Sequence, residues 1–293
     1  MGQVSPPFLV PLSRPGDRCY LSPHFFPDHR SGVRVRVLLV CPIPLEYTSC
    51  RTALSLRDVP AVLGCRVARG FAGNADVMSV ESGPAKARAA ASTVAAISQF
   101  QPDLVVDTGT CGALDGEMIV STIVLGMSCL EYDISGYGLP NRVIPEMKLP
   151  SVFDLFPRRE SQNLARALIE EGKDHGLHVR TGIQACGEFF IQSAQVRESL
   201  HAVSGAIACS WETAGVFVAA LRSCIPPLSM RVVSDLGDED ALRDFRRNAR
   251  RCSQGLYRFI GDSLESGWFE KVYEQWKQSP RGHVDRLPQR VLP

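Results

Sequence analysis

The chain has 293 residues, of which 45% are hydrophobic and 22% are charged, and its formal net charge at pH 7 is +1. This length accommodates one large α/β domain or two small ones. The near-zero charge gives no reason to expect nucleic acid or an anionic membrane as a partner, and no apolar run approaches the length of a membrane span.

The ten cysteines are scattered along the chain and form no Cys-x-x-Cys pair. Most of them lie in apolar contexts, which is typical of free buried thiols in a reducing compartment. The six histidines form no cluster with metal-ligand spacing. Since the N-terminus also lacks the layout of a secretory signal, the sequence predicts a cytoplasmic protein without a disulfide framework or a metal site.

The two ends of the chain differ in composition from its middle. Residues 1–33 are rich in Pro, Arg, His and Ser without periodicity, so we interpret them as a loosely ordered N-terminal extension or a misassigned start. Residues 278–293 are polar and contain proline, which is typical of a C-terminal tail. Between them, alternating strand and helix patterns predict one α/β domain over 34–277, built around a mixed central sheet.

Apolar runs rich in Val, Leu and Ile predict strands, and helical periodicity predicts helices. In chain order we expect strand-like runs at 35–40, 62–69, 76–81, from 104, 118–125, 128–132, 179–186, 206–209 and 228–233. Helices are expected just after Glu46 and at 87–100, 158–171, 196–203, 212–222, 240–264 and 268–276. The proline-rich segment 136–150 is predicted to be an irregular loop, suited to a lid or an oligomer contact.

Three carboxylates follow apolar strands in the sequence. Glu212 follows the run at 206–209, and Asp235 follows the run at 228–233. Glu46 lies in a rigid loop after the first strand. In α/β proteins ligands bind at the carboxyl ends of strands, so Glu212 and Asp235 are expected to converge on one crevice. A carboxylate after a strand is common, however, and an acid such as Glu46 is also favoured by the dipole of the following helix.

Small residues and aromatics supply further candidate features. The segment 108–113 (Thr-Gly-Thr-Cys-Gly-Ala) is predicted to be a loop that lets backbone approach a ligand closely. It is neither a P-loop nor a GxGxxG fingerprint, which excludes nucleotide-phosphate binding of those kinds. Phe189 and Phe190 are adjacent and cannot both face one core, so one of them is a candidate for stacking on a ligand.

Six motifs follow one another in a specific order over residues 34–265. An acid follows the first strand, and then come Ser-Gly-x-x-Lys-Ala, Asp-Thr-Gly-Thr-Cys-Gly-Ala, Gly-Glu-Phe-Phe-Ile, Glu-x-Ala and Arg-Val-Val-Ser-Asp. This order resembles the purine nucleoside phosphorylase/nucleosidase superfamily, and within it the methylthioadenosine/S-adenosylhomocysteine nucleosidases and futalosine hydrolases. The resemblance implies a three-layer αβα fold and cleavage of a ribose–base N-glycosidic bond.

The resemblance also implies roles for individual residues. Asp235 would protonate the purine N7, Glu212 would bind ribose hydroxyls and favour the oxocarbenium charge, and Glu46 would activate the attacking water. The implied binding residues are Ser82 and Arg231 beside the water, Thr110 and Gly112 in the floor, Phe190 and Ile191 at the base, Ser234 beside Asp235, and Trp211 beside the ribose. No metal or organic cofactor is implied; the implied partners are a nucleoside, water or phosphate, and further copies of the chain in a homodimer or larger homo-oligomer.

The chain departs from the family pattern at three places. Cys41-Pro42 replaces the usual glycine, Trp211 precedes Glu212 where a methionine is usual, and no lid motif is recognisable in 136–150. The base and the 5′ substituent therefore stay open.

The chemistry also has open alternatives. Hydrolysis is favoured over phosphorolysis because Glu46 would repel a phosphate dianion. Against this, the segment 109–112 resembles its phosphorylase counterpart, and Arg231 or Arg88 would suit phosphate. A third alternative is a non-catalytic nucleoside-binding protein. Two of the candidate residues also have simpler explanations. Arg231 would pair with a surface acid, and Ser82 would cap a helix.

Overall fold

The computed structural model describes residues 34–134 and 148–279, which form ten strands and seven α-helices. The strands are β1 (Val35–Cys41), β2 (Arg57–Val62), β3 (Cys65–Ala72), β4 (Ala75–Glu81), β5 (Leu104–Ala113), β6 (Ile123–Glu131), β7 (Lys148–Pro150), β8 (Val179–Cys186), β9 (Ala206–Ser210) and β10 (Pro227–Asp235). The helices are α1 (Pro44–Ala53), α2 (Lys86–Phe100), α3 (Arg158–Asp174), α4 (Ala194–Ser204), α5 (Thr213–Arg222), α6 (Ala241–Glu265) and α7 (Trp268–Gln278).

The alternation of side chains along β1 shows how the layers form. Val35, Val37 and Leu39 point into an apolar cluster built with α1, α6 and α7. Leu38 and Val40 point the other way, into a cluster built with α2 and α5. Successive residues of a strand face opposite sides of the sheet, so helices cover both faces. The predicted three-layer α/β fold is confirmed.

The sheet is mixed and partly closed. β1 pairs in parallel with β4 and β5, and β5 pairs in parallel with β10. β6, β8 and β9 run parallel to one another but antiparallel to β10 and β5. Because β5 pairs with β9 through Gly112 and Ala113, the strands β5, β10, β6, β8 and β9 form a closed ring. The carboxyl end of β5 therefore lies beside both β9 and β10.

Four details of the element prediction were wrong. Residues 148–150, predicted to be part of the irregular loop, form the short strand β7, which pairs with β6. Residues 108–113 are not a loop but the second half of β5, since they pair with β10 and β9. A single strand, β6, replaces the two predicted at 118–125 and 128–132, with a register shift at Gly126–Ser128. The strand β2 was missed because its sequence is charged and contains Pro60; it is an exposed edge strand, where such residues are tolerated.

Other predictions concern parts of the chain with limited or no description. The N-terminal extension 1–33, residues 135–147 of the proline-rich loop, and residues 280–293 of the tail lie outside the described residues. The domain boundaries therefore stay predictions. Among residues 34–134 and 148–279, no helix has the length and apolarity to cross a bilayer, and no His/Cys/Asp/Glu group is arranged to hold a metal. The nine described cysteines are free thiols, and seven of them are buried.

Candidate active site

A cavity of about 510 Å³ opens at the carboxyl ends of β1, β5 and β10. Ten of the eleven predicted site residues line it, although they come from five different parts of the chain. They are Glu46, Thr110, Gly112, Phe190, Ile191, Trp211, Glu212, Arg231, Ser234 and Asp235. The sheet topology explains this convergence. The parallel strands β1, β5 and β10 end at one edge, and the end of the antiparallel β9 reaches the same place because its Cys209 pairs with Gly112 of β5.

Ser82 is the predicted site residue that does not line the cavity. It is buried just after β4, and its hydroxyl donates a hydrogen bond to the carbonyl oxygen of Gly83 at 3.0 Å. The structure also contradicts the alternative that Ser82 caps a helix, since the residue preceding α2 is Ala85 and no side chain caps that helix. The described contacts thus give Ser82 a role in the turn.

Glu46 lies in the first turn of α1. The sequence analysis had placed it just before this helix. Its Oε2 accepts a hydrogen bond from the Ile43 N–H at 3.2 Å, which closes the helix end. Its Oε1 accepts two bonds from Thr110, at 2.7 Å from the backbone N–H and 2.8 Å from the hydroxyl. Gly109 makes this approach possible: its φ is +120°, and a Cβ there would lie 2.8 Å from Oε2 of Glu46.

The environment of Glu46 tunes its proton affinity. Burial raises the pKa of this carboxyl group to about 7, although the charge of Arg231 and the bonds from Thr110 oppose the shift. The neighbouring carboxylate of Glu212 raises the pKa further. A carboxylate with a pKa near neutrality can accept a proton from water at physiological pH, which an ordinary glutamate does poorly.

Arg231 projects from the middle of β10, and its side chain is buried together with those of Asp107 and Glu212. Its Nε and one terminal nitrogen donate to the two oxygens of Asp107, at 2.8 and 2.6 Å. The same terminal nitrogen donates to Oε2 of Glu212 at 3.1 Å, and the other donates to the Thr110 carbonyl at 2.8 Å. Pairing with a surface acid, the simpler explanation for Arg231, is therefore wrong.

Asp107 is the main residue of this network that the sequence analysis missed. Its side chain is inaccessible to solvent and lies on β5, directly after the apolar run 104–106. A signal was present, because a charged residue inside a buried strand requires a partner of opposite charge. The sequence alone does not show which of the 32 Lys and Arg residues supplies it.

Glu212 ends the turn after β9 and is the N-cap of α5, one residue before the helix begins. Its Oε1 accepts a hydrogen bond from the Ala85 N–H at 3.2 Å, and its Oε2 faces Arg231. Burial raises the pKa of Glu212, while the Arg231 charge opposes this. For Arg231 burial alone would lower the pKa, but the carboxylates of Asp107, Glu212 and Glu46 raise it well above its ordinary value.

Asp235 is the last residue of β10 and faces the same cavity. Its Oδ2 accepts a bond from the Ser234 hydroxyl at 2.8 Å, and its Oδ1 accepts a bond from the Gly237 N–H at 3.3 Å. Burial raises the pKa of Asp235 to about 6, although these two bonds lower it. The side chain therefore carries a proton in part of the population near neutral pH and is suited to donate it. The bond from Ser234 fixes one oxygen of this carboxyl group.

Aromatic and aliphatic side chains form the rest of the wall. Phe190 and Trp211 meet edge to face, with ring centroids 6.1 Å apart and planes at 86°. Phe189 is exposed, so only one of the two adjacent phenylalanines lines the cavity. The sequence analysis did not assign the other lining residues a role in the site: Pro42, Ile43, Pro84, Cys111, Cys209, Ser210, Leu242 and Phe245.

Comparisons with known proteins show the family to which the chain belongs. The phosphorylase superfamily matches residues 36–265 of the chain. The chain belongs to this superfamily. A 5′-methylthioadenosine/S-adenosylhomocysteine nucleosidase of Staphylococcus aureus is 26% identical over 203 residues, which cover 68% of this chain and 86% of the relative. The corresponding protein of Glaesserella parasuis is 25% identical over 190 residues, covering 63% and 78%.

Solved structures of the superfamily have the same fold. The 5′-methylthioadenosine/S-adenosylhomocysteine nucleosidase of Helicobacter pylori superposes with a TM-score of 0.69 at 19% identity, covering 80% of this chain and 99% of that one. The futalosine hydrolase of the same organism gives a TM-score of 0.68 at 20% identity, covering 79% and 97%. The resemblance inferred from the motif order is therefore confirmed at the level of the superfamily and its fold.

Proposed function

We propose that this protein hydrolyses the N-glycosidic bond of a purine nucleoside and releases the free base. One observation carries the proposal. Two of the three carboxyl groups that line the cavity are Glu46, with a pKa of about 7, and Asp235, with a pKa of about 6, and each is fixed by its own hydrogen bonds. Hydrolysis of this bond needs one group that accepts a proton and another that donates one.

The reaction follows from these positions. As the bond between C1′ and N9 breaks, its electron pair moves to the base, and Asp235 gives a proton to N7 so that the base leaves without negative charge. Glu212, held by Arg231 and the Ala85 N–H, stabilises the positive charge that develops on the sugar. Water attacks C1′ and gives a proton to Glu46. The products are a free base and a free sugar, and neither metal nor cofactor is required.

Water is a better co-substrate than phosphate for this cavity. A phosphorylase holds its phosphate with cations and N–H donors. Arg231 is the only Lys or Arg among the described residues that line the cavity, and two carboxylates already pair with it. Arg88 is outside the lining and donates to the Pro84 carbonyl instead. The carboxylate of Glu46 adds a further repulsion for an anion.

The identity of the nucleoside is the finer part of the proposal. Similar proteins are named 5′-methylthioadenosine/S-adenosylhomocysteine nucleosidase and futalosine hydrolase. A partly protonated Asp235 offers one donor and one acceptor, which suits N7 and an adjacent amino group of an aminopurine. We therefore expect an adenine nucleoside with a 5′ substituent to be the first choice, and a homo-oligomeric, cytoplasmic enzyme stays our expectation.

The test is a product analysis with purified protein. Methylthioadenosine, S-adenosylhomocysteine, adenosine, inosine and a futalosine-type nucleoside are each incubated without and with phosphate. Free base with free sugar in phosphate-free buffer is the expected result. Formation of a sugar 1-phosphate, and only when phosphate is present, would make the protein a phosphorylase. Binding of a nucleoside without any turnover would favour the non-catalytic alternative.

Two variants sharpen this test. Asp235→Asn removes the proton donor and is expected to abolish most of the turnover while the nucleoside still binds. Asp76→Asn is the matched control, because Asp76 is also a buried aspartate fixed by hydrogen bonds, in its case from Arg69 at 2.9 and 2.6 Å. Asp76 lies near the start of β4, whereas the cavity lies at the carboxyl ends of the parallel strands. Its variant is expected to keep full turnover.

A further inference from the structure

Asp107 is a buried carboxylate on β5 that accepts four hydrogen bonds. Its Oδ2 accepts from the hydroxyls of Thr213 and Ser229, at 2.7 and 2.8 Å, and from Nε of Arg231 at 2.8 Å. Its Oδ1 accepts from a terminal nitrogen of Arg231 at 2.6 Å. Four donors therefore converge on one carboxylate that is shielded from water. Such an arrangement fixes both the position and the charge of the group.

This carboxylate determines what Arg231 presents to the cavity. A guanidinium has five N–H donors in a rigid fork. Two of them bind Asp107, one binds Glu212, and one binds the Thr110 carbonyl, so only one is left for a ligand. The single positive charge also faces two negative ones. The wall around Arg231 therefore lacks the excess of positive charge that an anionic ligand needs.

We propose that Asp107 makes the site select water over phosphate, because it holds the Arg231 guanidinium against the sheet and cancels its charge. Asp107 itself does not contact the reacting atoms; it is a positioning residue that acts through Arg231. The inference rests on the proposed function, since it names what decides the nucleophile at that same cavity. It also explains how a site lined by an arginine disfavours phosphorolysis.

The variant Asp107→Asn tests this with a minimal change of shape. An asparagine keeps one oxygen for Thr213, Ser229 and Nε of Arg231. Its NH₂ group then faces the terminal nitrogen of Arg231, where two donors meet and no hydrogen bond forms. The variant therefore removes the negative charge and releases one arm of the guanidinium. The cavity gains a free donor and one unit of positive charge relative to the native protein.

The measurement is inhibition of nucleoside hydrolysis by inorganic phosphate at constant ionic strength, with chloride as the reference anion. In Asp107→Asn the inhibition constant of phosphate is expected to fall by at least about tenfold, equivalent to about 1.4 kcal/mol. Detection of a sugar 1-phosphate by ³¹P NMR would support the inference further. Asp76→Asn, the matched buried pair with Arg69, is expected to leave the phosphate constant unchanged.

Two results would overturn the inference. The first is a folded Asp107→Asn variant, verified by circular dichroism, that binds phosphate no more tightly than the native protein. The second applies even if the variant does not fold. The native protein should hydrolyse the nucleoside equally fast in phosphate and chloride buffers. Strong and specific inhibition by phosphate, or phosphorolysis, would therefore contradict the inference.

The outcome is separable from the proposed function. If the native protein cleaves no nucleoside, the proposed hydrolysis fails by itself. Binding of inorganic phosphate, followed by ³¹P line broadening without any nucleoside, then still compares Asp107→Asn with the native protein and with Asp76→Asn. Tighter binding in the first variant alone would uphold the role of Asp107, and equal binding in all three would refute it.

Discussion

Replacing Glu46 by glutamine should make the folded protein more stable at pH 8 while removing turnover. The pKa of Glu46 is about 7 in the folded protein, against an ordinary value of 4.5. Between these values the folded protein keeps a proton that the unfolded chain releases. The stability that this proton contributes is therefore fully present below pH 4.5 and is lost as the pH rises through about 7.

The size of the effect follows from the shift. Each pKa unit corresponds to 1.36 kcal/mol, so 2.5 units amount to about 3 kcal/mol at alkaline pH. Glutamine is neutral at every pH and avoids this cost. Its NH₂ group faces the Ile43 N–H in place of Oε2, however, and a lost backbone hydrogen bond costs about 1 kcal/mol. The net gain is about 2 kcal/mol at pH 8, or roughly 4–8 °C in Tm.

Thermal unfolding followed by circular dichroism between pH 4.5 and 8.5 measures this gain. The curves of the native protein and Glu46→Gln should lie closest together at the acidic end, separate between pH 4.5 and about 7, and keep a constant separation above that. Glu170→Gln is a suitable control, because Glu170 pairs with Lys173 on the surface of α3. If Glu46→Gln follows the native curve at every pH, or is the less stable protein at pH 8, Glu46 does not have the raised pKa that the mechanism needs.

Further predictions concern turnover. Asp235→Asn is expected to lower kcat about 10²–10⁴-fold with little change in nucleoside affinity, measured by product release and equilibrium binding. In the native protein the pH dependence of kcat/KM should be bell-shaped, with limbs near pH 6 and pH 7, because protonated Asp235 and ionised Glu46 are both required. A variant that lacks either carboxyl group should lose one limb of this profile. Phe190→Ala should raise KM by up to about tenfold, because contact with Trp211 and the ligand is lost. Phe189→Ala should leave KM unchanged, because Phe189 is exposed outside the cavity.

The fold was predictable where local patterns determine structure. The strand at 179–186 has the predicted bounds, and the helix predicted at 240–264 is shifted by a single residue at each end. Strand ends delivered Glu212 and Asp235 to one cavity as expected. The element bounds were predictable because alternating or helical periodicity is written in neighbouring residues. Glu212 and Asp235 meet because the ends of β9 and β10 both pair with Gly112 of β5.

The failures have a common cause as well. The segment 108–113 has the composition of a loop, yet pairing with β10 and β9, which lie about a hundred residues later, makes it a strand. The same long-range pairing brings Asp107 to Arg231 across 124 positions of sequence. Ser82 fits the family motif, but its hydroxyl turns to the neighbouring carbonyl. Contacts of this kind depend on tertiary structure, which local propensity does not encode.

The buried charges explain why stability and reactivity are linked in this site. One arginine neutralises Asp107 and part of Glu212, but no second cation lies beside Glu46 among the described lining residues. A buried carboxylate without a full partner holds its proton more tightly, so the fold destabilises the anionic form that the reaction uses. A second cation would stabilise the anion, but it would also lower the basicity of Glu46 and attract phosphate. The instability expected above pH 7 is therefore a consequence of a site built to take a proton from water.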